Sequence, residues 1–137
     1  YGNKRPSNII CEPGRFLVAD AAIIETEVIL ISVHSTEDKK KWVYIDVGRY
    51  NGLAETEGEA IHYKITAKGY EKCKKSNYIL AGPSCDSHDI IYKKKPCYLP
   101  RLLKIGDKLR IHSTGAYTTT YSSNFNGIKK IREYYLD

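Results

Sequence analysis

Short apolar runs rich in β-branched and aromatic residues alternate along this chain with polar breaks of Gly, Pro, Asn and Asp, the pattern of strands joined by turns. S-N-I-I-C at 7–11 reads as a short strand ended by the turn Glu12-Pro13-Gly14-Arg15. A long Ile- and Val-rich strand is expected over 23–33, and further strands over 42–46, 61–67, 78–81, 90–93, 108–113 and 117–121. Helical signals are short: 51–57 after Gly48, and a turn at 100–104 before Ile105-Gly106-Asp107. Strands without β-α alternation predict an all-β fold, a sandwich or barrel. In the last predicted hairpin region Gly106-Asp107 forms the turn and Leu109 and Ile111 alternate inward. Gly115-Ala116 beside Tyr117 is too small to fill space, which fits either close approach by another chain or ligand or a tight bend.

Composition narrows the picture. The 137 residues suit one domain, long enough for a core but short for a complete metabolic enzyme. Apolar residues at 42% and charged ones at 28% are ordinary for a globular chain. No apolar run reaches the roughly 20 residues of a membrane helix, since Glu25, Thr26 and Glu27 interrupt the longest. The opening Tyr1-Gly2-Asn3-Lys4-Arg5-Pro6 carries neither Met nor an apolar signal core, so a start upstream of Tyr1 is expected. Cys11, Cys73, Cys85 and Cys97 form no C-x-x-C pair, which fits reduced thiols in a cytoplasmic protein. Cys85 and His88 are spaced as two metal ligands would be, but no second pair completes a site, so no metal is expected. The net charge of +6 comes from lysine clusters at 39–41, 72–75, 93–95 and 129–130. A basic, tyrosine-rich β domain could bind single-stranded nucleic acid, yet these lysines fall in polar connections and read as solvated loops, so neither nucleic acid nor membrane is expected as a partner.

Taken singly, the chemical motifs have structural readings: Glu12-Pro13-Gly14-Arg15 a turn, Cys85-Asp86 a thiol beside a solvated carboxylate, Gly115-Ala116-Tyr117 a strand entry. Taken in order, four blocks are specific. They are E-P-G-R-F-L-V-A at 12–19, W-V-Y-I-D-V-G-R-Y-N-G-L-A-E-T at 42–56, G-P-S-C-D-S-H-D at 82–89, and G-D-K-L-R-I-H-S-T-G-A-Y-T-T-T-Y-S-S-N-F-N-G at 106–127. Nearly the whole chain thus resembles the C-terminal part of the fold-type III pyridoxal 5'-phosphate (PLP) decarboxylases, which act on ornithine, lysine, diaminopimelate or arginine. The resemblance implies a last barrel strand and cofactor turn over 1–15 and a C-terminal β domain over 16–137. It also implies a (β/α)8 barrel elsewhere, carrying the Schiff-base lysine, and a homodimer whose active sites are shared across the interface.

The resemblance also assigns roles. Glu12 would partner the pyridinium nitrogen, keeping the ring an electron sink. Gly14 gives the tight turn after which Arg15 reaches the cofactor phosphate as a planar, multi-donor cation, and Tyr117 adds a hydroxyl donor. Cys85 would return a proton to the substrate's Cα, a role suited to thiols, which ordinarily ionise near 8.5. Asp86 would hold the distal ammonium of a diamino acid, with Asp46 and Phe125 nearby and Asp89 supporting the loop. Cys85-Asp86-Ser87 followed by Phe125-Asn126-Gly127, with no arginine for a second substrate carboxylate, favours ornithine or lysine. Diaminopimelate decarboxylase, whose family pattern reads Cys-Glu-Ser, is the alternative, as is a non-catalytic regulator of the antizyme-inhibitor kind. Without the Schiff-base lysine this polypeptide alone is expected not to decarboxylate anything.

Overall fold

The computed structural model describes residues 2–33 and 40–136. Lys39 of the first lysine cluster and the end residues Tyr1 and Asp137 lie outside the described residues. Six strands, β1 (Ile24–Ser32), β2 (Lys41–Ile45), β3 (Ile65–Ala67), β4 (Lys75–Ala81), β5 (Ile90–Pro100) and β6 (Lys108–Ile111), form one sheet in the order β3-β6-β1-β2-β4-β5. Every neighbouring pair is antiparallel except β2 and β4, which run parallel. The all-β expectation therefore holds, with a single curled sheet in place of two stacked ones.

Curling brings the two edges of the sheet together. Tyr92 on the edge strand β5 is buried, and its hydroxyl donates to the Ile61 carbonyl at 3.1 Å and accepts from the Tyr63 backbone N–H at 2.9 Å, just ahead of the other edge strand β3. His62 Nε2 lies 3.1 Å from the Pro96 carbonyl across the same seam. Inside the curl lies the core of Val28, Val43, Ile45, Leu80, Ile91, Leu99, Leu109 and Ile111. Leu109 and Ile111 point inward as their alternation requires. A smaller cluster of Trp42, Ile79 and Ala81, with Tyr44 and Ile90 against it, covers the outer face. The central strands β2 and β4 are thus buried on both sides, which explains why their sequence reads as a continuous apolar run.

Several expected elements change where a strand finds no ladder partner. The 7–11 segment is not a strand: it is irregular, and Ile9 and Ile10 are largely exposed. The turn at 12–15 leads into a one-turn helix α1 (Arg15–Val18), continued by a 3-10 turn at Ala19–Ala21. Residues 117–121 are not a strand either, because Tyr117 sits at φ 56°, outside the extended region a ladder needs, and Thr119–Tyr121 is a 3-10 turn. Only 65–67 of the 61–67 run pairs, and the 51–57 helix is a 3-10 turn at Ala54–Glu59, broken at Glu57 and Gly58. The lysines at 93–95 lie within β5, not in a loop, and β5 accommodates Pro96 because it is an edge strand.

That lysine run is fastened by Glu59. The side chain is 5% exposed, and its carboxylate accepts the backbone N–H groups of Lys93, Lys94 and Lys95 at 2.8, 2.7 and 2.6 Å. Burial pushes the Glu59 carboxyl up, but these three donors outweigh it and hold it below its ordinary value. An unfolded glutamate titrates near 4.3, so the stabilisation is complete above about that pH and is lost as pH falls through the lower folded value. Glu59→Gln is expected to lower stability by about 2 kcal/mol at pH 7. In thermal melts from pH 7 to pH 3 the gap between wild type and variant should close at the acid end; a gap independent of pH would show that the charge is not what matters.

Candidate active site

Because β2 and β4 are parallel neighbours, the loops leaving their C-terminal ends emerge side by side. This places Gly48-Arg49-Tyr50 against Gly82-Pro83-Ser84-Cys85-Asp86, two segments more than 30 residues apart in the chain. Asp89 fastens them. Its side chain is 2% exposed, one carboxylate oxygen accepts the Arg49 N–H at 2.7 Å and the other the Ser84 N–H at 3.0 Å. The Asp89 carbonyl takes the Gly82 N–H at 2.8 Å. A side chain at Gly48 would overlap the Asp89 carboxylate, and one at Gly82 would come within 2.5 Å of it. Both positions are glycine because the backbone must approach the carboxylate this closely. The expectation that Asp89 supports the loop is met in these contacts.

The loop so held presents Cys85 exposed at φ 59°, a left-handed conformation uncommon for a residue with a side chain. Asp86 caps the 3-10 turn Ser87–Asp89 by accepting the His88 N–H at 2.7 Å; the His88 ring Nδ1 lies 3.2 Å from the same oxygen. The Tyr50 hydroxyl stands near enough to the Asp86 carboxylate to feel its charge. The His88 N–H, opposed by partial burial and reinforced by the His88 ring and Tyr50, holds the Asp86 carboxyl below its usual range. Burial first, and then Asp86, pushes the Tyr50 phenol up. The Tyr50 ring stacks on Phe125 at 4.1 Å, the Tyr50 carbonyl accepts the Ser123 N–H at 2.6 Å, and Asn126 Nδ2 donates to the Ser84 carbonyl at 3.2 Å. Cys85, Asp86 and Phe125 are thereby brought together. Tyr50 is the residue of this cluster that the sequence reading missed: it lies inside a recognised block, but nothing in the string shows that its ring and carbonyl hold the distant C-terminal segment.

A second cluster forms around α1. A side chain at Gly115 would collide with the Val18 carbonyl, and the Gly115 and Thr114 N–H groups bond the Ala19 and Ala22 carbonyls at 2.8 and 3.0 Å. What approaches this glycine is therefore the chain's own backbone. The packing sets the Arg15 guanidinium over the Tyr117 ring at 5.6 Å, and a side chain on Gly14 would come within 3.2 Å of the Tyr117 hydroxyl. Arg15 also pairs with Glu55. A guanidinium and a phenol hydroxyl converging beside a glycine form a donor set that fits a phosphate. Glu12 precedes them on the irregular segment, exposed, and among the described residues nothing hydrogen-bonds its carboxylate.

Asp46 joins neither cluster. Its carboxylate faces β1, where it accepts from the Thr26 hydroxyl and, at 2.9 Å, from the Glu27 N–H. Asp46 follows directly on β2, and its side chain fastens the β1–β2 pair. Among the described residues no group of three or more His, Cys, Asp and Glu side chains is placed to hold a metal, and no helix is long and apolar enough to cross a membrane.

The family described as "Pyridoxal-dependent decarboxylase, C-terminal sheet domain" matches residues 11–115. Among curated proteins, a diaminopimelate decarboxylase of Buchnera aphidicola is 33% identical over 141 residues, covering 96% of this chain and 33% of the relative. A lysine/ornithine decarboxylase of Selenomonas ruminantium is 31% identical over 116 residues, covering 85% and 28%. Among solved structures, the Vibrio vulnificus lysine/ornithine decarboxylase complexed with cadaverine superposes with a TM-score of 0.74 at 29% identity, covering 87% of this chain and 31% of that one. The chain spans about a third of the length of the curated relatives it matches.

Gly82→Ala should destabilise the protein by at least about 2 kcal/mol, because the added methyl meets both the Asp89 carboxylate and the Gly48 Cα at 2.5 Å. Asp89→Asn, which places an amide donor against one of two N–H donors, should act in the same direction by a similar amount. Chemical denaturation checks both; an unchanged midpoint for either would show that the two loops do not depend on this contact.

Proposed function

The chain belongs to the pyridoxal-dependent decarboxylases, as their C-terminal sheet domain, and we propose that with an N-terminal (β/α)8 barrel it completes an enzyme converting ornithine or lysine to the corresponding diamine and carbon dioxide. In this reading residues 1–15 are the last barrel strand and cofactor turn, and 16–137 the β domain. The exposed Ile9, Ile10, Phe16 and Leu17 support it, since they form an apolar surface that a barrel would cover.

When bound, PLP supplies the electron sink that makes loss of the α-carboxyl group feasible. This chain's own residues bind, orient and move a proton. Arg15 and Tyr117 hold the phosphate beside Gly14, and Glu12 serves the pyridinium nitrogen. Cys85, at the tip of a loop fixed from below by Asp89, delivers a proton to Cα in the active site of a partner subunit. Its backbone is left-handed and its side chain exposed, with Sγ 4.0 Å from the Pro83 carbonyl of the same loop. Phe125, stacked on Tyr50, gives the substrate's methylenes an apolar wall.

The observation that carries the substrate reading is Asp86. Its carboxyl is held below its usual range, first by the His88 N–H that it accepts, and among the described residues no lysine or arginine pairs with it. An ionised, positioned carboxylate without a fixed cation suits the distal ammonium of a diamino acid. Diaminopimelate is the second reading, since relatives carrying that name match at comparable identity. With that substrate the distal centre bears a carboxylate as well, and Arg49, the arginine of the neighbouring loop, is already paired with Glu57.

With PLP, the complete protein assayed side by side on ornithine, lysine and meso-diaminopimelate should release carbon dioxide from the first two. Preference for diaminopimelate would establish the second reading. Asp86→Ala should raise KM for the diamino acids tenfold or more, and Cys85→Ala should slow product formation or divert part of it to transamination while PLP stays bound. Mixing Cys85→Ala with a variant lacking the Schiff-base lysine should restore part of the activity if the site is shared between subunits; no recovery would count against sharing.

A further inference from the structure

Asp86 is contacted by a titratable side chain of its own loop. His88 donates its backbone N–H to Asp86 Oδ1 at 2.7 Å, and its ring Nδ1 lies 3.2 Å from that same oxygen. The backbone bond keeps His88 beside Asp86, within reach of its imidazole. The His88 side chain is 74% exposed, free to exchange protons with solvent, whereas Asp86 is 31% exposed.

We propose that His88 is a specificity-determining residue of the substrate site: its protonated imidazole occupies Asp86 as an intramolecular cation and competes with the distal ammonium of the ligand, and deprotonation releases the carboxylate. This rests on the reading of Asp86 as the ammonium acceptor.

The other groups around the pair do not take over either role. On the same loop, the Asp89 carboxylate is buried and engaged by the Arg49 and Ser84 N–H groups, and Cys85 is exposed. From the loop after β2, Tyr50 brings a neutral hydroxyl near Asp86, and the Arg49 guanidinium is paired with Glu57 at 2.9 Å. From the C-terminal segment, Phe125 and Asn126 bring no charge. Among the described residues the imidazole is thus the group in contact with Asp86 whose side-chain type can carry or lose a proton in the physiological range.

The direction follows. With a proton on its ring His88 pairs with Asp86 and the affinity for a distal ammonium drops; without that proton the affinity recovers, so binding weakens toward acid pH. An exposed ion pair shifts an equilibrium by about two- to five-fold, so competition of that size is expected, not loss of binding.

The test uses the complete PLP-loaded protein and the inhibition constants of putrescine and cadaverine from pH 8 to pH 5.5, where the distal amine stays protonated. Between these limits the wild-type constants should weaken two- to five-fold more than those of His88→Asn, with His88→Gln behaving like His88→Asn. Titrations of cofactor and substrate are common to all three proteins and cancel in the ratio. Superimposable pH profiles for wild type and both variants would overturn the proposal. Asp86→Asn should weaken diamine binding at pH 8 tenfold or more and should remove the difference that His88 makes. Undiminished diamine binding by Asp86→Asn would instead overturn the reading of Asp86 itself, and with it the role of His88.

Discussion

The site depends on one buried carboxylate inserted between two backbones. Parallel pairing of β2 and β4 brings their exit loops alongside each other but does not join them, since the ladder ends at Ala81. Asp89 makes the joint, with each oxygen on one loop, and glycine at 48 and 82 opens the gap that admits it. A charged acceptor sealed from water makes stronger hydrogen bonds than a surface one, and its loss would leave two N–H groups buried without partners. Everything proposed for Cys85 and Asp86 rests on this joint, because both sit on the four residues it anchors.

Among the described residues five non-glycine residues adopt positive φ: Glu59 and Ser113, and also Cys85, Tyr117 and Asn126, which adjoin or belong to the two clusters. Such conformations carry a cost and persist only where the surroundings fix them. The fixing contacts are visible: Asp89 and the Asp86-capped turn for Cys85, the packing of α1 on Gly115 for Tyr117, and the Asn126–Ser84 bond for the C-terminal segment.

The sequence made the all-β class, the long β1, the Gly106-Asp107 turn and the inward Leu109 and Ile111 legible, because each depends on local periodicity or turn chemistry. It left illegible what depends on a partner distant in the chain. Apolar Ile9 and Ile10 read as a strand, yet a strand exists only with a neighbour, and none pairs with them among the described residues. Tyr117 and Tyr121 have β propensity, but the close approach of Val18 at Gly115 forces another path. Motif blocks placed Cys85, Asp86, Phe125, Arg15 and Tyr117 in two groups that the structure assembles. The blocks could not show that Asp46 turns to β1, that Arg15 meets Glu55, or that Tyr50 stacks on Phe125.

The string Glu55-Thr56-Glu57-Gly58-Glu59, whose first three residues end the helix predicted over 51–57, explains how the two groups keep their relation. Each glutamate faces a different element: Glu55 meets Arg15 of the cofactor cluster, Glu57 meets Arg49 beside Asp89, and Glu59 is locked onto β5. Their exposures differ, and so do their roles. Glu57, 70% exposed at its side chain, contributes little through its ion pair alone, while buried Glu59 determines where the turn sits. With Glu59 fixed and only a broken turn between, Glu55 has little freedom to move, and neither does the guanidinium it holds. A helix would have sent these side chains around one axis; the kink at Glu57 and Gly58 lets them diverge to three elements. On this chain a six-residue turn, whose position the sheet edge dictates, thus relates the two clusters to each other.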